Sequence, residues 1–169
     1  RDEHIMTKKN IKLDRINRRI LIELQTDARM SNNELADKIG LSPSACLQRV
    51  KALEDAGYIQ QYVMAVDLDK LCNNVKAYAM ITLKNHTYQD FSIFEKGIRA
   101  CPQALDCLRV NGGLDYVVFM VCSSIEDFNT LCDELLQSPL GIAKITSHFV
   151  LDEPKWFGGY PLNELEWRE

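Results

Sequence analysis

The sequence predicts an α+β protein with an N-terminal helix-turn-helix domain, similar to a winged helix, and a C-terminal ferredoxin-like βαββαβ sandwich. Two short helical patterns in the first half are joined by Gly40-Leu41-Ser42, as in a helix-turn-helix. The second half alternates strand and helix patterns in the order β-α-β-β-α-β. The charge divides in the same way, because residues 7–64 contain 10 Lys and Arg against 7 Asp and Glu, whereas residues 65–169 contain 9 against 15.

The composition indicates a folded protein without a membrane-spanning segment. The 169 residues are 46% apolar and 26% charged, as is typical of globular chains, and they suffice for one domain or two compact ones. No run approaches the roughly 20 apolar residues that a transmembrane helix needs, and no apolar segment typical of a signal peptide is recognisable. We therefore expect a cytoplasmic protein with no membrane partner, whose cysteines are reduced and mostly buried as small apolar side chains.

Neither a catalytic nor a metal site is expected from the residue types. The six cysteines include no C-x-x-C pair and only three histidines are present, so the ligand spacing of a zinc site is missing. The sequence also shows no nucleophile–base pair and no phosphate-binding loop. We therefore predict that the protein is not an enzyme and that it needs no cofactor.

Capping signals locate the first two helices. Asp14 is predicted to cap the first helix, whose apolar residues recur at helical spacing. Ser31 and Glu34 have the spacing of a capping box, which would start the second helix. Gly40 is predicted to end that helix, because glycine adopts a left-handed conformation without strain.

The third helix is predicted to enter the major groove of double-stranded DNA. Its N-cap is Ser42, and Pro43 suits its first turn. The second helix of a helix-turn-helix contacts base edges with its N-terminal residues, and Gln can pair with adenine and Arg with guanine. The predicted DNA-binding residues are Ser42, Pro43, Ser44, Ala45, Gln48, Arg49 and Lys51.

Two of these residues also have a structural explanation. Arg49 could pack its stem beside Val50 and pair with a carboxylate instead of a base. Lys51 could simply be solvated. The corresponding alternative for the whole unit is a three-helix packing motif that binds no DNA, although the capping, the turn and the positive charge together favour DNA binding.

A strand is predicted to connect the two domains. Residues 59–66 contain four spaced apolar side chains, and turn-forming Asp and Asn residues follow. The aromatic C-terminal tail could pack on the body of the protein or on a neighbouring subunit. The predicted organisation is a DNA-binding domain with its connecting strand at residues 7–66, a linker at 67–76, the second domain at 77–155 and the tail at 156–169.

Strand and helix patterns alternate through the second domain. Pro102 and Pro139 end its two helical patterns, and Asn111-Gly112-Gly113 between its two central strands is a strong hairpin signal. The predicted strands are residues 77–83, 105–110, 116–122 and 142–151, and the predicted helices are residues 88–100 and a segment capped by Ser124.

One face of such a sheet would remain uncovered, because both helices pack on the other. Tyr78, Met80, Val118 and Met120 lie on strands that could supply an apolar open face, although the sequence does not assign the face. We expect a second copy to cover it in a symmetric homodimer. A dimer agrees with DNA binding, since paired helix-turn-helix units contact half-sites about 34–36 Å apart.

Motifs along the whole chain match one family of DNA-binding proteins. In the first half these are Leu13-Asp14, Ile20, Leu24-Gln25, Ser31-Asn32-Asn33-Glu34-Leu35-Ala36, Gly40-Leu41-Ser42-Pro43, Cys46, Arg49-Val50, Leu53-Glu54 and Gly57. In the second half they are Gly112, Asp115-Tyr116, Pro139, Gly141 and Ser147. From about Leu13 to Lys155 the sequence thereby resembles the Lrp/AsnC family, the feast/famine transcriptional regulators of bacteria and archaea.

The resemblance implies a regulator that assembles and binds an amino acid. Members of the family pair through the sheet into dimers and often into octamers, and they commonly bind a free amino acid between two dimers. The glycine turn between the second and third strands lies in that site, opposite residues of the last strand. Carried over by position, the effector-binding residues are Gly112, Gly113, Leu114, Asp115, Tyr116, Thr146 and Ser147.

The turn suits a zwitterion but departs from the family pattern. Backbone amides of a glycine-rich turn can hold a carboxylate, and Asp115 can accept hydrogen bonds from an ammonium group. The family turn usually reads Gly, acid, aromatic, Asp, whereas Gly113 and Leu114 stand at its middle positions here. Ile145 likewise stands where the family often has a polar residue.

Two functions therefore remain open. The first is a sequence-specific regulator whose assembly responds to an amino acid. The second is an effector-independent DNA-binding or architectural protein whose ferredoxin-like domain only oligomerises, and the altered turn supports it. At the residue level, Asp115 could simply cap nearby amides, and Gly112 and Gly113 could serve backbone geometry alone.

Overall fold

The computed structural model describes residues 11–168, which divide into two compact units. The helical unit contains residues 11–65 together with the C-terminal residues 155–168, and the sheet unit contains residues 66–154. The chain therefore leaves the helical unit once and returns to it. In the described part of the chain, no helix is long and apolar enough to cross a membrane.

Three helices form the helical unit, and each begins at its predicted cap. The Asp14 side chain accepts the amide of Asn17, Ser31 and Glu34 form the complete capping box, and Ser42 caps the third helix. Gly40 has φ +74° and ends the second helix. The helices are α1 (Arg15–Thr26), α2 (Asn32–Ile39) and α3 (Pro43–Asp55).

A small apolar core holds these helices together. Ala36 is completely buried, and its small side chain allows close approach of the helices. Leu41, in the turn between α2 and α3, packs against the same core. The fully enclosed residues are Ile20, Leu35, Ala36, Ile39, Cys46 and Leu53.

The predicted connecting strand is wrong. Residues 60–67 are neither helical nor part of a strand, and Val63 and Met64 are 71% and 82% exposed. A strand needs a neighbour for its backbone hydrogen bonds, and the four-stranded sheet described below does not include this segment. A single helical turn, α4 (Leu68–Leu71), follows in the predicted linker.

The sheet unit has the predicted βαββαβ order. The elements are β1 (Val75–Leu83), α5 (Tyr88–Arg99), β2 (Ala104–Arg109), β3 (Tyr116–Cys122), α6 (Ile125–Gln137) and β4 (Ile142–Phe149). The four strands are arranged β2-β3-β1-β4, and all neighbours are antiparallel. Thr87 and Ser124 cap the two helices through their side chains.

The strand register assigns the two faces of the sheet. Ala77 lies opposite Met120 and Ala79 opposite Val118, and all four side chains are fully buried beneath the helices. Two of the four residues considered for the open face, Val118 and Met120, therefore belong to the core. Their neighbours along β3 point the other way, because successive side chains of a strand alternate between faces.

The open face of the sheet has an apolar centre, whereas its positions on β4 are polar: His148 lies opposite Tyr78 and Thr146 opposite Met80. The ring of Tyr78 lies 5.0 Å from that of Phe119, and Met80 lies opposite Val117. Tyr78 is 42% exposed, so part of this apolar surface is open to solvent. The apolar residues of the open face are Tyr78, Met80, Leu108, Val117, Phe119 and Val121.

Candidate DNA-binding surface and effector site

The exposed side of α3 carries one continuous row of side chains. Ser44, Leu47, Gln48 and Lys51 are all exposed, and their spacing of i, i+3, i+4 and i+7 puts them on one face of the helix. We call these four residues the α3 stripe. A hydroxyl, an apolar group, a carboxamide and an ammonium group are together suited to base edges and phosphates.

Leu47 in this stripe is absent from the set predicted from the sequence. It is 58% exposed, whereas Cys46 on the same helix is fully buried. The sequence contains a signal for its exposure, because Leu47 falls outside the spacing of the inward-facing residues Cys46, Val50 and Leu53. An exposed apolar side chain there can contact the methyl group of thymine.

The first residues of α3 mainly shape the start of the helix. The Ser42 hydroxyl accepts the amide of Ala45 and lies 3.3 Å from the Ser44 hydroxyl. The carbonyl of Pro43 accepts a 2.8 Å hydrogen bond from the Asn32 side chain. Of the residues predicted in this turn, only Ser44 belongs to the α3 stripe.

Arg49 lies away from the α3 stripe. Its Nη1 donates to Asp14 Oδ2 at 2.8 Å and to Asn17 Oδ1 at 3.0 Å. These contacts match the alternative in which Arg49 pairs with a carboxylate rather than a base. Arg49 thus holds α3 against the beginning of α1.

Asp14 and Asn17 make the other half of this network. Asn17 is 6% exposed, and its Nδ2 donates to the carbonyl of Lys12 at 2.8 Å. The amide hydrogen bond from Asn17 lowers the pKa of Asp14, and the neighbouring Arg49 guanidinium lowers this pKa further. Asp14 is therefore ionised at neutral pH and forms a charged pair with Arg49.

The predicted effector turn is open. Gly112 has φ +117°, and a Cβ atom at Gly112 or Gly113 would meet no atom within 4 Å. The turn is closed by a hydrogen bond from the amide of Val110 to the carbonyl of Asp115, and the amide of Asp115 ties it to β1 through the carbonyl of Ile81; each bond is 2.9 Å long. Backbone amides of a glycine-rich turn of this kind can hold an anionic group.

The Asp115 carboxylate already has two partners. It accepts the amide of Leu83 at 2.8 Å, and His86 Nε2 lies 3.0 Å away. The side chain is 16% exposed. This geometry matches the alternative in which Asp115 caps a nearby amide. His86 was not singled out from the sequence, because nothing local connects two residues 29 positions apart.

Tyr116 places its backbone, but not its side chain, at the turn. The residue is 1% exposed, its ring lies 4.3 Å from that of Phe94, and its hydroxyl donates to Glu95 at 2.9 Å. Burial, followed by the hydrogen bond to Glu95, raises the pKa of the phenol strongly. The side chain therefore belongs to the core beneath α5.

The predicted residues of β4 lie on opposite faces of the sheet. Thr146 is opposite Met80, on the open face, whereas Ser147 is opposite the buried Ala79. On the open face, Thr146 is two strands from Val117, about 10 Å at the usual strand spacing. One chain therefore brings Gly112 to Asp115 together at the turn but does not enclose a site with both β4 side chains.

A cavity of about 560 Å³ lies elsewhere in the sheet unit, at the end of β3 away from the turn. Its lining mixes amides, carboxylates and apolar groups. No residue of the glycine turn contributes. The lining residues are Leu68, Cys72, Asn73, Asn74, Gln103, Val121, Cys122, Ser123, Asp127, Thr130, Leu131 and Glu134.

Metal-binding groups are dispersed. Within residues 11–168, no three or more His, Cys, Asp or Glu side chains are grouped as metal ligands. All six cysteines are free thiols, and Cys46, Cys122 and Cys132 are buried. Cys72 departs from the expected burial because it is exposed in the segment after α4.

Comparison with known families defines the class of protein. Residues 13–60 match the winged helix-turn-helix DNA-binding model, and residues 76–158 match the model of the Lrp/AsnC ligand binding domain. A DNA-binding helical unit joined to a ligand-binding sheet unit defines a transcriptional regulator. The chain belongs to the Lrp/AsnC family, and it is a regulator rather than an enzyme.

Individual relatives are similar over most of their length. The chain is 36% identical to the transcriptional regulator AzlB of Bacillus subtilis, over 92% of this chain and 99% of that protein. It is 36% identical to the regulatory protein DoeX of Halomonas elongata, over 83% and 89%. It is 34% identical to the leucine-responsive regulatory protein of Escherichia coli, over 85% and 87%.

Solved structures share the fold. A transcriptional regulator of Neisseria meningitidis, determined as a complex with L-Met, superposes with a TM-score of 0.81 at 31% identity, covering 90% of this chain and 98% of that one. The Bacillus subtilis protein LrpC superposes with a TM-score of 0.71 at 33% identity, covering 86% and 99%.

Proposed function

We propose that this protein binds specific DNA sequences and that its assembly responds to a small amino acid bound between dimers. The observation that carries the proposal is the α3 stripe. Its side chains are exposed on the second helix of a helix-turn-helix, which is the helix that enters the major groove in this motif. The Arg49–Asp14 pair holds that helix on its unit.

Each residue of the α3 stripe has a distinct role in this proposal. Gln48 hydrogen-bonds adenine, Leu47 contacts a thymine methyl group, and Ser44 and Lys51 bind phosphate or a base edge. Ser42, Pro43 and Ala45 set the position of the helix start, whose amides favour a phosphate. Arg49 acts by positioning α3 rather than by contacting guanine.

We propose that the protein assembles in the cytoplasm into a homodimer and then an octamer, and the open face supports the first of these contacts. Exposed Tyr78 and Leu108, together with the neighbouring apolar residues of the face, make a surface that a second copy would cover. A two-fold axis would make this contact self-complementary and would present two α3 stripes to two DNA half-sites.

The effector is proposed to bind at the glycine turn. Backbone amides around Gly112 and Gly113 would hold its carboxylate, and Asp115 retains lone pairs that can accept its ammonium group. Leu114, the Tyr116 backbone, Thr146 and Ser147 would complete the site with residues of another copy. The L-Met complex of the Neisseria relative supports an amino acid as the ligand class.

A second candidate is the effector-independent DNA-binding protein. The contacts of Asp115 favour this candidate, because its carboxylate already interacts with the amide of Leu83 and with His86. Gly113 favours it too, because this position has no side chain to contact a ligand. The sheet unit would then serve only to join copies.

DNA footprinting on the upstream region of the protein's own gene tests the assignment of α3. Gln48→Ala should weaken selective binding about 5- to 150-fold, because it removes a base contact of about 1–3 kcal/mol, and Leu47→Ala should also weaken it, because it removes the apolar contact with the thymine methyl group. Gln137→Ala, at the end of α6, is the matched control and should bind like the unchanged protein. Normal footprints for both α3 variants would contradict the proposal.

A thermal-shift screen of the common amino acids separates the two candidates. A ligand at 100 times its Kd raises the unfolding free energy by about 2.7 kcal/mol, so one or a few amino acids should raise the Tm. Asp115→Asn, which keeps an acceptor for the Leu83 amide, should weaken that response. Absence of any response at millimolar concentrations would favour the effector-independent protein.

A further inference from the structure

The C-terminal residues 155–168, which we call the strap, pack on α1 of the helical unit. Gln25 Nε2 donates to the carbonyl of Tyr160 at 2.7 Å, and the amide of Tyr160 donates to Gln25 Oε1 at 3.0 Å. The side-chain amide of one α1 residue thus satisfies both backbone groups of one strap residue. Such a two-point contact fixes the orientation as well as the position of the strap.

Gly159 makes this contact possible. Its φ is +112°, and a Cβ atom there would lie 2.8 Å from Cδ and Cγ of Gln25. Both the conformation and the close approach therefore require glycine. The preceding Gly158 differs, because a Cβ atom on it would meet nothing within 4 Å and its φ is not positive.

A second contact lies further along α1. The guanidinium of Arg18 stacks on the ring of Trp167, with its carbon 5.4 Å from the ring centroid. Arg18 and Gln25 are seven residues apart, which is two helical turns and about 10 Å along one face of α1. The strap therefore follows α1 between two separate attachment points.

The chain before the strap is attached to the sheet. The amide of Val150 donates to the carbonyl of Lys76 at 2.9 Å, and Lys76 Nζ lies 2.5 Å from the Glu153 carboxylate. Tyr160 follows Glu153 by only seven positions, so the chain between these attachment points spans at most about 25 Å. A chain this short between two fixed points can act as a tether.

We propose that the strap is a second tether, alongside residues 60–67, that restrains the helical unit so that the α3 stripes of two copies engage two half-sites together. The inference rests on the proposed function, because it concerns bivalent DNA binding. Restraint raises the effective concentration of the second unit once the first has bound, and it reduces the ordering that binding requires. The single-half-site affinity does not depend on the strap.

Replacement of either glycine provides a matched pair of variants. Gly159→Ala should release the strap, whereas Gly158→Ala should leave it docked. Both tryptophans of the protein, Trp156 and Trp167, lie in the strap, so a Trp156→Phe background leaves Trp167 as the reporter. Acrylamide quenching of Trp167 should rise in the Gly159→Ala variant and remain unchanged in the Gly158→Ala variant.

DNA binding then tests the restraint. The Gly159→Ala variant should lose at least about tenfold of its affinity for DNA with two half-sites and retain its affinity for one half-site. Unchanged quenching would refute the docked strap, and increased quenching with unchanged two-site affinity would refute the restraint. Failure of the unchanged protein to bind DNA would contradict the proposed function, and the quenching measurement would still decide whether the strap docks.

Discussion

Arg49 shows how the partner of one side chain decides its role. An arginine on a DNA-reading helix is a natural candidate for contact with guanine, yet its guanidinium lies 2.8 Å from Asp14. The nearly buried Asn17 depends on the same contact, because its side-chain oxygen accepts from Arg49. Loss of Arg49 would leave the side-chain oxygen of the buried Asn17 without this partner, so its effect on DNA binding would come mainly through the stability and position of α3.

The lowered pKa of Asp14 predicts an acid-sensitive helical unit. A carboxyl whose folded-state pKa lies below its ordinary value of 3.8 stabilises the fold above that value. This contribution should disappear as the pH falls through the lowered folded-state pKa. Asp14→Asn keeps capping atoms but has no charge, so its free energy of unfolding should depend less on pH between about 2 and 5.

Urea denaturation across that pH range measures the difference between the two proteins. The Asp14→Asn variant should be less stable near pH 7 by about 1 kcal/mol, because it lacks the half-exposed ion pair with Arg49. The two proteins should converge at the acid end. Parallel stability curves across the range would show that the Asp14 charge has no part in folding.

At the scale of elements, local signals explain which predictions succeed. The helices could be located because Ser31, Ser42 and Ser124 each satisfy a backbone amide three residues further on, so the signal and the structure coincide in sequence. Residues 59–66 resemble a strand but lack a neighbouring strand, and no property of the segment itself reports this absence. Secondary structure that depends on distant partners is thus harder to predict than a capped helix.

A glycine inside α5 predicts a specific packing constraint. A Cβ atom at Gly97 would overlap Cδ2 of Leu140, which packs against the sheet core. Gly97→Ala should therefore destabilise the sheet unit by about 1 kcal/mol, because displacement of Leu140 outweighs the gain in helix propensity.

Chemical denaturation of single and double variants tests this packing. Adding Leu140→Ala to Gly97→Ala should cost less than Leu140→Ala costs alone, since the two changes relieve the same overlap. Ser92→Ala, at an exposed position of α5, is the control for helix propensity. Additive effects of Gly97→Ala and Leu140→Ala would exclude the overlap.

At the scale of the whole molecule, the register of β3 could not be read from its sequence. Residues 116–122 are apolar on both faces, so alternation gives no information about which side chains meet the helices. The two candidate sites were only partly predictable, because a sequence motif reports neighbouring residues and not partners that are distant in the chain. The motif located α3 and the glycine turn, whereas the pairs Arg49–Asp14 and His86–Asp115 join residues far apart in the chain.

The open face predicts the oligomeric state of the protein. Phe119→Glu places a charge in the centre of the open face, where a second copy would bury it. The variant should therefore be monomeric, and sedimentation analysis measures this change. Its fold should persist, because Phe119 does not enter the helix-covered core. A sedimentation coefficient identical to that of the unchanged protein would exclude this face as the contact between copies.

The diversion of Arg49 to Asp14 has a consequence for how binding responds to salt. The α3 stripe then carries one cation, Lys51. If α3 binds DNA as proposed, contacts of the stripe with phosphate would displace about one condensed counterion per copy. Discrimination between operators would depend on the neutral pair Leu47 and Gln48, whose preferred partners are thymine and adenine. On this basis, base pairs facing the helix would be A·T, and ionic strength would change overall occupancy more than the ranking of sites.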